Sequence, residues 1–242
     1  MNNTGAIILA AGKGTRMKSD LPKVLHKIGD KALAEYVIDA VKAAGIDKIC
    51  LVIGYQADRV KENIHRDVIY AYQEEQLGTG HAVMCARDFL DEAEDMLVLC
   101  GDTPLVTGDT IKALIKYHRE EGNFVTVLSA VMEDPTGYGR IVRDPEGNFL
   151  KNVEHKDATE QERKICEINS GMYIFNSGEL KEGLSGLTTD NAQGEYYLPD
   201  VIAAVKKKGL KVGAYSLEDP TEIFGINTVD QLEQAKKILE RR

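Results

Sequence analysis

The sequence predicts an α/β protein with a mixed, mostly parallel sheet and helices on both faces of that sheet. Short apolar runs alternate with helix-like runs from the N-terminus to about residue 131, as in successive β-α-β units. The run Met96–Cys100 is apolar throughout, which indicates a central strand buried on both faces. After residue 134, strand-like runs follow one another without regular helices, which predicts a smaller β-rich portion.

The first strand and the first long helix have clear local signals. An apolar run at Ala6–Leu9 lies between glycines, and such a run is typical of a buried strand. Across Ala32–Ala44, apolar side chains recur at helical spacing, and Gly45 then ends the helix. The alternation continues with strands at Lys48–Ile53, Val68–Tyr72, Met96–Cys100 and Phe124–Val131, and with helices at Ala57–Asn63, Gly80–Phe89 and Thr107–Glu121. We expect Thr107 or Asp109 to cap the last of these helices.

The second half of the chain is predicted to contain more strands than helices. Strands are expected at Gly139–Arg143, Phe149–Glu154 and Ile168–Phe175, with a turn signal at residues 145–148. We expect this β portion to lie over the first half, where a second substrate could be gripped. The remaining elements are a helix at Leu198–Lys208, a strand at Val212–Ser216 and a helix at Thr228–Arg242. Since no linker or repeat interrupts the chain, one domain over residues 1–242 is the simplest organisation.

Composition excludes several classes of protein. The chain has 242 residues, 43% of them hydrophobic and 29% charged, which is ordinary for a water-soluble protein. No apolar run approaches the ~20 residues needed to cross a bilayer, and no signal-peptide layout is visible, so we expect a cytoplasmic protein. The net charge of −9 argues against nucleic acid and anionic membranes as partners. Four cysteines without a Cys-x-x-Cys pair argue against structural zinc.

The stretch from Gly5 to Lys27 resembles a phosphate-binding loop. Small residues after the first strand allow close approach of a ligand to the backbone, and Arg16 and Lys23 could reach phosphate oxygens. Residues 13–31 carry six lysines or arginines against two aspartates, which suits a small anionic ligand. Met17 breaks the dinucleotide fingerprint, and the P-loop pattern is also absent. The alternative is a flexible glycine turn beside a solvated basic segment.

Asp102 follows Gly101 at the carboxyl end of the predicted central strand, where open α/β sheets bind ligands. A carboxylate there is a suitable oxygen donor for Mg²⁺ beside phosphates, and a turn or capping aspartate is the alternative. Asn227 could donate its carbonyl oxygen to the same ion, or Asn227 or Thr228 could simply cap the last helix.

Three further groups of polar residues are candidates for base and sugar recognition. The Gln73 amide could complement a base such as uracil, while the segment Gly78–Gly80 could contribute backbone groups or a Thr79 helix cap. Glu154 and Asn169 could bind sugar hydroxyls, although a surface role is common for a lone glutamate. Either of two tyrosines, Tyr196 or Tyr197, could pack on a sugar ring or fill the core.

Taken together, these segments resemble the uridyltransferase domain of bacterial N-acetylglucosamine-1-phosphate uridyltransferase, a sugar nucleotidyltransferase. The match runs over essentially the whole chain. It is carried by Leu9–Met17, Leu21–Lys23, Glu75–His81, Gly101–Asp102, Tyr138–Arg140, Val153–Lys156, Glu167–Asn169, Asn191–Tyr197 and Gly225–Asn227. The resemblance implies the Rossmann-like nucleotide-diphospho-sugar transferase fold, with a nucleotide-binding lobe at 1–134, a mainly sugar-binding lobe at 135–227 and a C-terminal helix at 228–242.

The resemblance also implies a role for each candidate residue. Arg16, Lys23 and Asp102 would be catalytic, with Arg16 and Lys23 on the triphosphate and Asp102 and Asn227 on Mg²⁺. Gly139, Glu154, Asn169 and Tyr197 would bind the amino sugar. The nucleotide would contact Leu9, Ala10, Ala11, Gly12, Gly14, Gln73, Gln76, Gly78 and Thr79.

The implied reaction is Mg²⁺-dependent transfer of UMP from UTP to N-acetylglucosamine 1-phosphate, giving UDP-N-acetylglucosamine for cell-envelope synthesis. The alternatives are another sugar 1-phosphate, such as glucose 1-phosphate, and a non-catalytic nucleotide-binding module; Met17 disfavours an NAD(P) oxidoreductase. Cys100 departs from the aromatic or hydroxyl residue that the family often places before Gly-Asp. Family members usually continue into a left-handed β-helix of hexapeptide repeats, which this sequence lacks. The chain is then either a single-activity protein or an excised domain, and without the β-helix we expect a monomer or weak oligomer.

Overall fold

The computed structural model describes residues 3–242. The strands are β1 (Thr4–Ala10), β2 (Lys27–Ile28), β3 (Lys31–Ala32), β4 (Ile49–Ile53), β5 (Ile69–Tyr72), β6 (Asp95–Cys100), β7 (Val125–Val131), β8 (Gly139–Arg143), β9 (Phe149–Val153), β10 (Glu167–Asn176) and β11 (Val212–Leu217). The α-helices are α1 (Leu33–Ala43), α2 (Ala57–Asn63), α3 (Thr79–Cys85), α4 (Gly108–Glu120), α5 (Ser177–Ser185), α6 (Pro199–Lys207) and α7 (Val229–Leu239).

One large sheet organises the molecule. Its main path runs β11-β7-β10-β6-β1-β4-β5, and β2 and β3 form a separate small hairpin. Strands β1, β4, β5 and β6 are mutually parallel, as are β7 and β11, whereas β10 is antiparallel to both of its neighbours on this path. The predicted α/β class with a mostly parallel sheet is therefore confirmed, and the apolar strand β6 is central as expected.

The predicted position of the β-rich portion is wrong. It does not lie over the first half, because β10 inserts into the main sheet between β6 and β7. The residues 172–175 of β10 are all fully or almost fully buried, so this strand needs a partner on each side. Strands β8 and β9 continue the same sheet from the first part of β10, where Ile168 and Asn169 pair with β8. The pairing of β10 with β7 shifts register between Asn169 and Met172.

Two helical features also differ from the prediction. The helix expected to run to Phe89 ends at Cys85 and continues as a 3₁₀ segment over Arg87–Glu92. Helix α5 was not predicted, because its glycines lower helix propensity. One of them, Gly183, permits close packing on α6, since a Cβ there would lie 2.6 Å from Val201 Cγ1.

The apolar side chains form three clusters. Helices α1, α2 and α4 contribute to the cluster on one face of the sheet, and α3, α5 and α6 to the cluster on the other. Both faces are thus covered, as predicted. A third, smaller cluster joins the glycine-rich loop to α7; its buried members are Met17, Ile28, Leu33, Leu105, Ile226 and Ala235. Within residues 3–242, no helix is long and apolar enough to cross a membrane.

Candidate active site

The glycine-rich loop leaves the carboxyl end of β1 and forms one wall of a cavity. Gly14 and Lys18 both have positive φ, at 64° and 50°, and a single 3₁₀ turn over Thr15–Met17 lies between them. Met17 is only 2% exposed and packs in the third apolar cluster, which turns the neighbouring Arg16 side chain outward. Met17, the residue that breaks the dinucleotide fingerprint, therefore fixes this loop to the apolar core.

The cavity beside this loop has a volume of about 290 Å³. It is lined by Leu9, Ala10, Ala11, Gly12, Lys23, Val24, Gln73, Gln76, Gly78, Thr79, Ala82, Cys100, Asp102 and Glu195. All the predicted nucleotide-binding residues except Gly14 lie on its wall. Gly14 instead packs against Lys23, and a Cβ on Gly14 would lie 2.5 Å from Lys23 Cβ. We call this the nucleotide cavity.

Gln73 has a more constrained role than its sequence suggests. The side chain is 3% exposed, and its Nε2 donates to Gly78 O at 3.1 Å and lies 3.2 Å from His81 Nδ1. Since the amide nitrogen is used within the protein, the carbonyl oxygen is the atom left for a ligand. Gln76 also lines the cavity, and its Nε2 donates to Gln73 O at 3.3 Å.

The segment Gly78–Gly80 is hydrogen-bonded to the residues that precede α6. Gly80 N donates to Tyr196 O at 2.8 Å, and Tyr196 N donates to Leu77 O at 2.9 Å. The Thr79 hydroxyl accepts from Leu198 N at 3.2 Å, while no side chain caps α3, so the alternative role of Thr79 as a helix cap is wrong. Gly78 has φ 108°, and a Cβ there would lie 2.7 Å from Tyr196 O, so only glycine fits.

Lys23 and Asp102 lie on the wall of the nucleotide cavity, and Asn227 contacts Lys23 without lining either cavity. Lys23 Nζ forms an ion pair with Asp102 Oδ2 and donates to Asn227 Oδ1 at 2.8 Å. Arg16 Nη2 donates to the same Asn227 oxygen at 2.9 Å. Asp102 and Asn227 are far apart in sequence, yet both point an oxygen at one ammonium group. Thr228 rather than Asn227 caps α7, because the Thr228 hydroxyl accepts from Gln231 N at 3.2 Å.

This group of oxygens suits a divalent metal that is held partly by its substrate. In the part of the chain that the structure describes, no three His, Cys, Asp or Glu side chains are grouped as metal ligands. A carboxylate and an amide oxygen converging on one cation position match the preference of Mg²⁺ for few protein oxygens plus phosphates and water. The ammonium of Lys23 now lies at that position.

A second cavity, of about 440 Å³, opens on the other side of Cys100. Its wall includes Arg16, Thr79, Cys100, Gly137, Tyr138, Gly139, Glu154, Asn169, Ser170, Gly171, Tyr173, Gln193, Glu195, Tyr197, Leu198 and Pro199. All four predicted sugar-binding residues are among them. We call this the sugar cavity, after the resemblance that predicted it.

Gly139 lies between Glu154 and Asn169 in the sugar cavity. A Cβ at this position would lie 3.0 Å from Glu154 Oε1 and 3.4 Å from Asn169 Cβ. Asn169 is 6% exposed; its Nδ2 donates to the Tyr173 hydroxyl at 2.8 Å and its Oδ1 accepts from Gly171 N at 2.9 Å. The strand pairing of β8 with β9 and β10 therefore brings the three residues together.

Burial perturbs the acids of the sugar cavity. Burial raises the pKa of the Glu154 carboxyl, although Asn152 Nδ2 donates to it at 3.2 Å. The negative charges of Asp157 and Asp200 raise this pKa further. Burial also raises the pKa of the Tyr197 hydroxyl, which accepts from Gln193 Nε2 at 2.7 Å.

The two cavities share Thr79, Cys100 and Glu195 on their walls. Burial raises the pKa of the Cys100 thiol to about 12, and its Sγ donates to Gly171 O at 3.6 Å. The thiol form therefore predominates at neutral pH, and the reactive thiolate is disfavoured. The arrangement offers adjacent sites for two ligands that meet beside Lys23 and Asp102.

Sequence reasoning missed Glu195 and Tyr138 as wall residues. Glu195 lies in the 191–197 segment, where the neighbouring tyrosines gave the stronger signal. Tyr138 directly precedes Gly139, and its position could have been inferred from that glycine. Burial raises the pKa of the Tyr138 hydroxyl, and the charge of Asp102 adds to the effect.

Comparison with known proteins gives a family match over most of the chain. The model of the family described as nucleotidyl transferase matches residues 5–221. A protein named bifunctional protein GlmU from Thermoanaerobacter pseudethanolicus is 51% identical over 242 residues, covering 100% of this chain and 53% of its own length. GlmU of Acetivibrio thermocellus is 52% identical over 238 residues, covering 98% of this chain and 52% of its own. The chain therefore spans about half the length of these curated relatives.

A solved structure supports the fold. It belongs to a Bacillus anthracis protein, provisionally assigned as a glucose-1-phosphate thymidylyltransferase and crystallised with sucrose. The TM-score is 0.77 at 20% sequence identity, with 97% of this chain and 94% of that chain covered. At this identity the likeness concerns the fold alone, and it confirms the predicted α/β architecture.

Proposed function

Because the chain belongs to the nucleotidyl transferase family, we propose that it transfers a uridylyl group from UTP to N-acetylglucosamine 1-phosphate, with release of pyrophosphate. Relatives 51% and 52% identical over 98% or more of the chain are named bifunctional protein GlmU. The acceptor is the one that the resemblance in the sequence implies. The observation that carries the proposal is the junction of the nucleotide and sugar cavities at Cys100, beside the Lys23–Asp102 ion pair.

The proposed reaction needs neither a protein nucleophile nor a general base. A sugar 1-phosphate has a second pKa of about 6, so its oxygen is already ionised at neutral pH. That oxygen attacks the α-phosphorus of UTP, a new P–O bond forms, and the bond to the leaving pyrophosphate breaks. No step of this reaction uses the Cys100 thiol beside the junction, whose pKa burial raises.

The protein contributes charge and position. Lys23 lies on the nucleotide-cavity wall, where its ammonium would neutralise charge that grows at the α-phosphate. Arg16 lies on the wall of the sugar cavity and contacts Asn227, so its guanidinium would steady the phosphates from the open side. Both cations lie at Asn227 Oδ1 before substrate binds, so a short movement would bring them to the phosphates.

Nucleotidyl transferases of this type generally use a divalent metal. We propose Mg²⁺, held by the side-chain oxygens of Asp102 and Asn227, with Lys23 moving from them to the phosphates. When bound, Mg²⁺ supplies a Lewis-acid charge that neutralises phosphate oxygens.

Recognition of the two substrates would use the two cavities separately. The Gln73 carbonyl oxygen would accept from the N3–H of uracil, and Gln76 and the backbone near Gly78 would complete the base contacts. In the sugar cavity, Glu154 and Asn169 would bind the hydroxyl and acetamido groups across Gly139, with Tyr197 against the ring.

A pyrophosphate-release assay with a panel of substrates tests the proposal. The purified chain would be given UTP, CTP or dTTP with N-acetylglucosamine 1-phosphate, glucose 1-phosphate or no sugar. We expect rapid release only with UTP, the acetylated amino sugar phosphate and Mg²⁺. Comparable rates with glucose 1-phosphate would assign the chain to another sugar, and release without any acceptor would contradict a transferase.

A further inference from the structure

Asn227 is held by its own backbone as well as by its side chain. Its Oδ1 faces Lys23 and Arg16, and its Nδ2 donates to Gly225 O at 3.3 Å. Ile226, directly before it, is fully buried, and its N–H donates to Asp102 O at 2.8 Å. The direction of the Asn227 amide oxygen therefore depends on how the segment 225–227 is held.

Gln231 provides the fixed point on the other side of Asn227. Its Oε1 accepts from Thr228 N at 3.1 Å, while the Thr228 hydroxyl accepts from Gln231 N, which is the reciprocal pattern of a capping box. The same Oε1 accepts from Asn227 N at 2.8 Å. A capping box needs only the bond from Thr228 N to Gln231 Oε1. The shorter bond from Asn227 N is additional, and it connects the helix cap to the residue that contacts Lys23 and Arg16.

Helix α7 packs in the third apolar cluster. Ala235 of α7 is fully buried in the cluster that also contains Met17, the anchor of the loop that carries Arg16. Both Arg16 and Asn227 are thus placed relative to one helix, and Gln231 is the side chain that joins that helix to Asn227.

We propose that Gln231 is a positioning residue, which holds the Asn227 oxygen toward the divalent metal and the triphosphate. This inference rests on the proposed function, in which Asn227 is a metal ligand. Without the Gln231 acceptor, the backbone N–H of Asn227 loses its partner. The amide oxygen is then held beside Asp102 only by the bonds of Asn227 Nδ2 to Gly225 and of Ile226 N to Asp102. Partners that orient a metal ligand commonly matter for metal affinity although they touch no metal.

The test compares Gln231→Met, which keeps the length of the side chain but removes the acceptor, with Gln231→Glu, which keeps the acceptor. Gln234→Met is the matched control, since Gln234 is an exposed glutamine on the same helix. Binding of Mn²⁺ to each protein in the presence of UTP, without sugar phosphate, would be followed by the relaxation rate of water protons, because the phosphates supply further metal ligands. Thermal unfolding of each variant, and the Mg²⁺ concentration for half-maximal turnover, would be measured in parallel.

We expect Gln231→Met to weaken Mn²⁺ binding and to raise the half-maximal Mg²⁺ concentration, each by about 10-fold. Gln231→Glu and Gln234→Met should bind Mn²⁺ like the parent protein. A lower melting temperature for Gln231→Met with unchanged Mn²⁺ binding would reduce Gln231 to a helix cap and overturn the inference, as would an equal loss in Gln234→Met.

The variant Asn227→Ala distinguishes a failure of the positioning role of Gln231 from a failure of the proposed metal site. If Asn227→Ala weakens Mn²⁺ binding and Gln231→Met does not, the positioning role alone is wrong. If Asn227→Ala binds Mn²⁺ normally, the proposed metal site is wrong, and the inference about Gln231 falls with it.

Discussion

The nucleotide cavity and the sugar cavity adjoin, yet they are built in different ways. The nucleotide cavity is walled mainly by small residues and loop backbone that follow the parallel strands β1, β5 and β6. The sugar cavity depends on side chains that three antiparallel strands, β8, β9 and β10, bring together. Changes in the first should therefore affect phosphates and base, whereas changes in the second should affect the acceptor alone. Four predictions test this division, in order of decreasing effect.

The largest effect is expected for Lys23→Ala, at the junction. The ammonium meets charge that grows in the transition state, so its loss should lower kcat by about 100-fold or more while the KM for UTP changes much less. Steady-state kinetics with both substrates would measure this. Lys27→Ala is the control, because Lys27 is an exposed lysine of the same basic segment. A near-normal kcat in Lys23→Ala would remove this residue from the chemistry.

Paired glycine substitutions address the division directly. Gly139→Ala would place a Cβ 3.0 Å from Glu154 Oε1, so we expect the KM for the sugar phosphate to rise about 10-fold or more. Gly12→Ala meets no protein atom within 4 Å, so its methyl group would obstruct only the nucleotide. It should raise the KM for UTP by a similar factor. Cross effects of equal size on both substrates would show that the two cavities act as one.

The raised pKa of Glu154 predicts a pH effect on the sugar side. As pH falls through this raised value, the carboxylate takes up a proton and loses its charge. The KM for the sugar phosphate should then rise by about 10-fold, the value of one charged hydrogen bond. Glu154→Gln should show the high KM at every pH. Protonation of the phosphates themselves persists in this variant, so an identical pH profile in both proteins would rule Glu154 out.

The smallest effect is expected for base selection by Gln73. Loss of one neutral hydrogen bond, worth about 1 kcal/mol, should reduce the UTP-to-CTP preference of Gln73→Ala by about fivefold. Because Gln73 Nε2 also holds Gly78 O, the melting temperature should fall as well. Competition between the two nucleotides at fixed sugar phosphate would measure the preference. An unchanged ratio together with a lower melting temperature would leave Gln73 a purely structural role.

Features that depend on short segments of the chain could be predicted from the sequence, whereas strand pairing over long distances could not. The glycine-rich loop and Asp102 after the central strand follow from short segments, and the structure places both where they were expected. For the cap of α4 the sequence offered Thr107 or Asp109, and Thr107 is the capping residue. The site of β10 was predicted wrongly, because its pairing with β6 depends on residues about 75 positions away. Local patterns identify a strand but not its neighbour.

The choice of hydrogen-bond partners by side chains was the second feature that the sequence could not predict. The sequence identified Gln73 as a base reader but could not show that its nitrogen is already used by Gly78. It suggested Asn227 or Thr228 as the cap of α7, and only the fold decides in favour of Thr228. Such competition between partners is settled by three-dimensional packing.

The insertion of β10 between β6 and β7 has a consequence for biosynthesis. Strands β5, β4, β1 and β6 can pair as soon as the first hundred residues have left the ribosome. The outer edge of β6 then stays unpaired until β10 is complete at residue 176, and β7 and β11 can join the sheet only through β10. An apolar strand with an open edge is a template for association with other chains. We therefore expect pauses in synthesis while residue 100, but not residue 176, has left the ribosome to increase aggregation of the nascent protein. Pauses after residue 176 has emerged should increase it less.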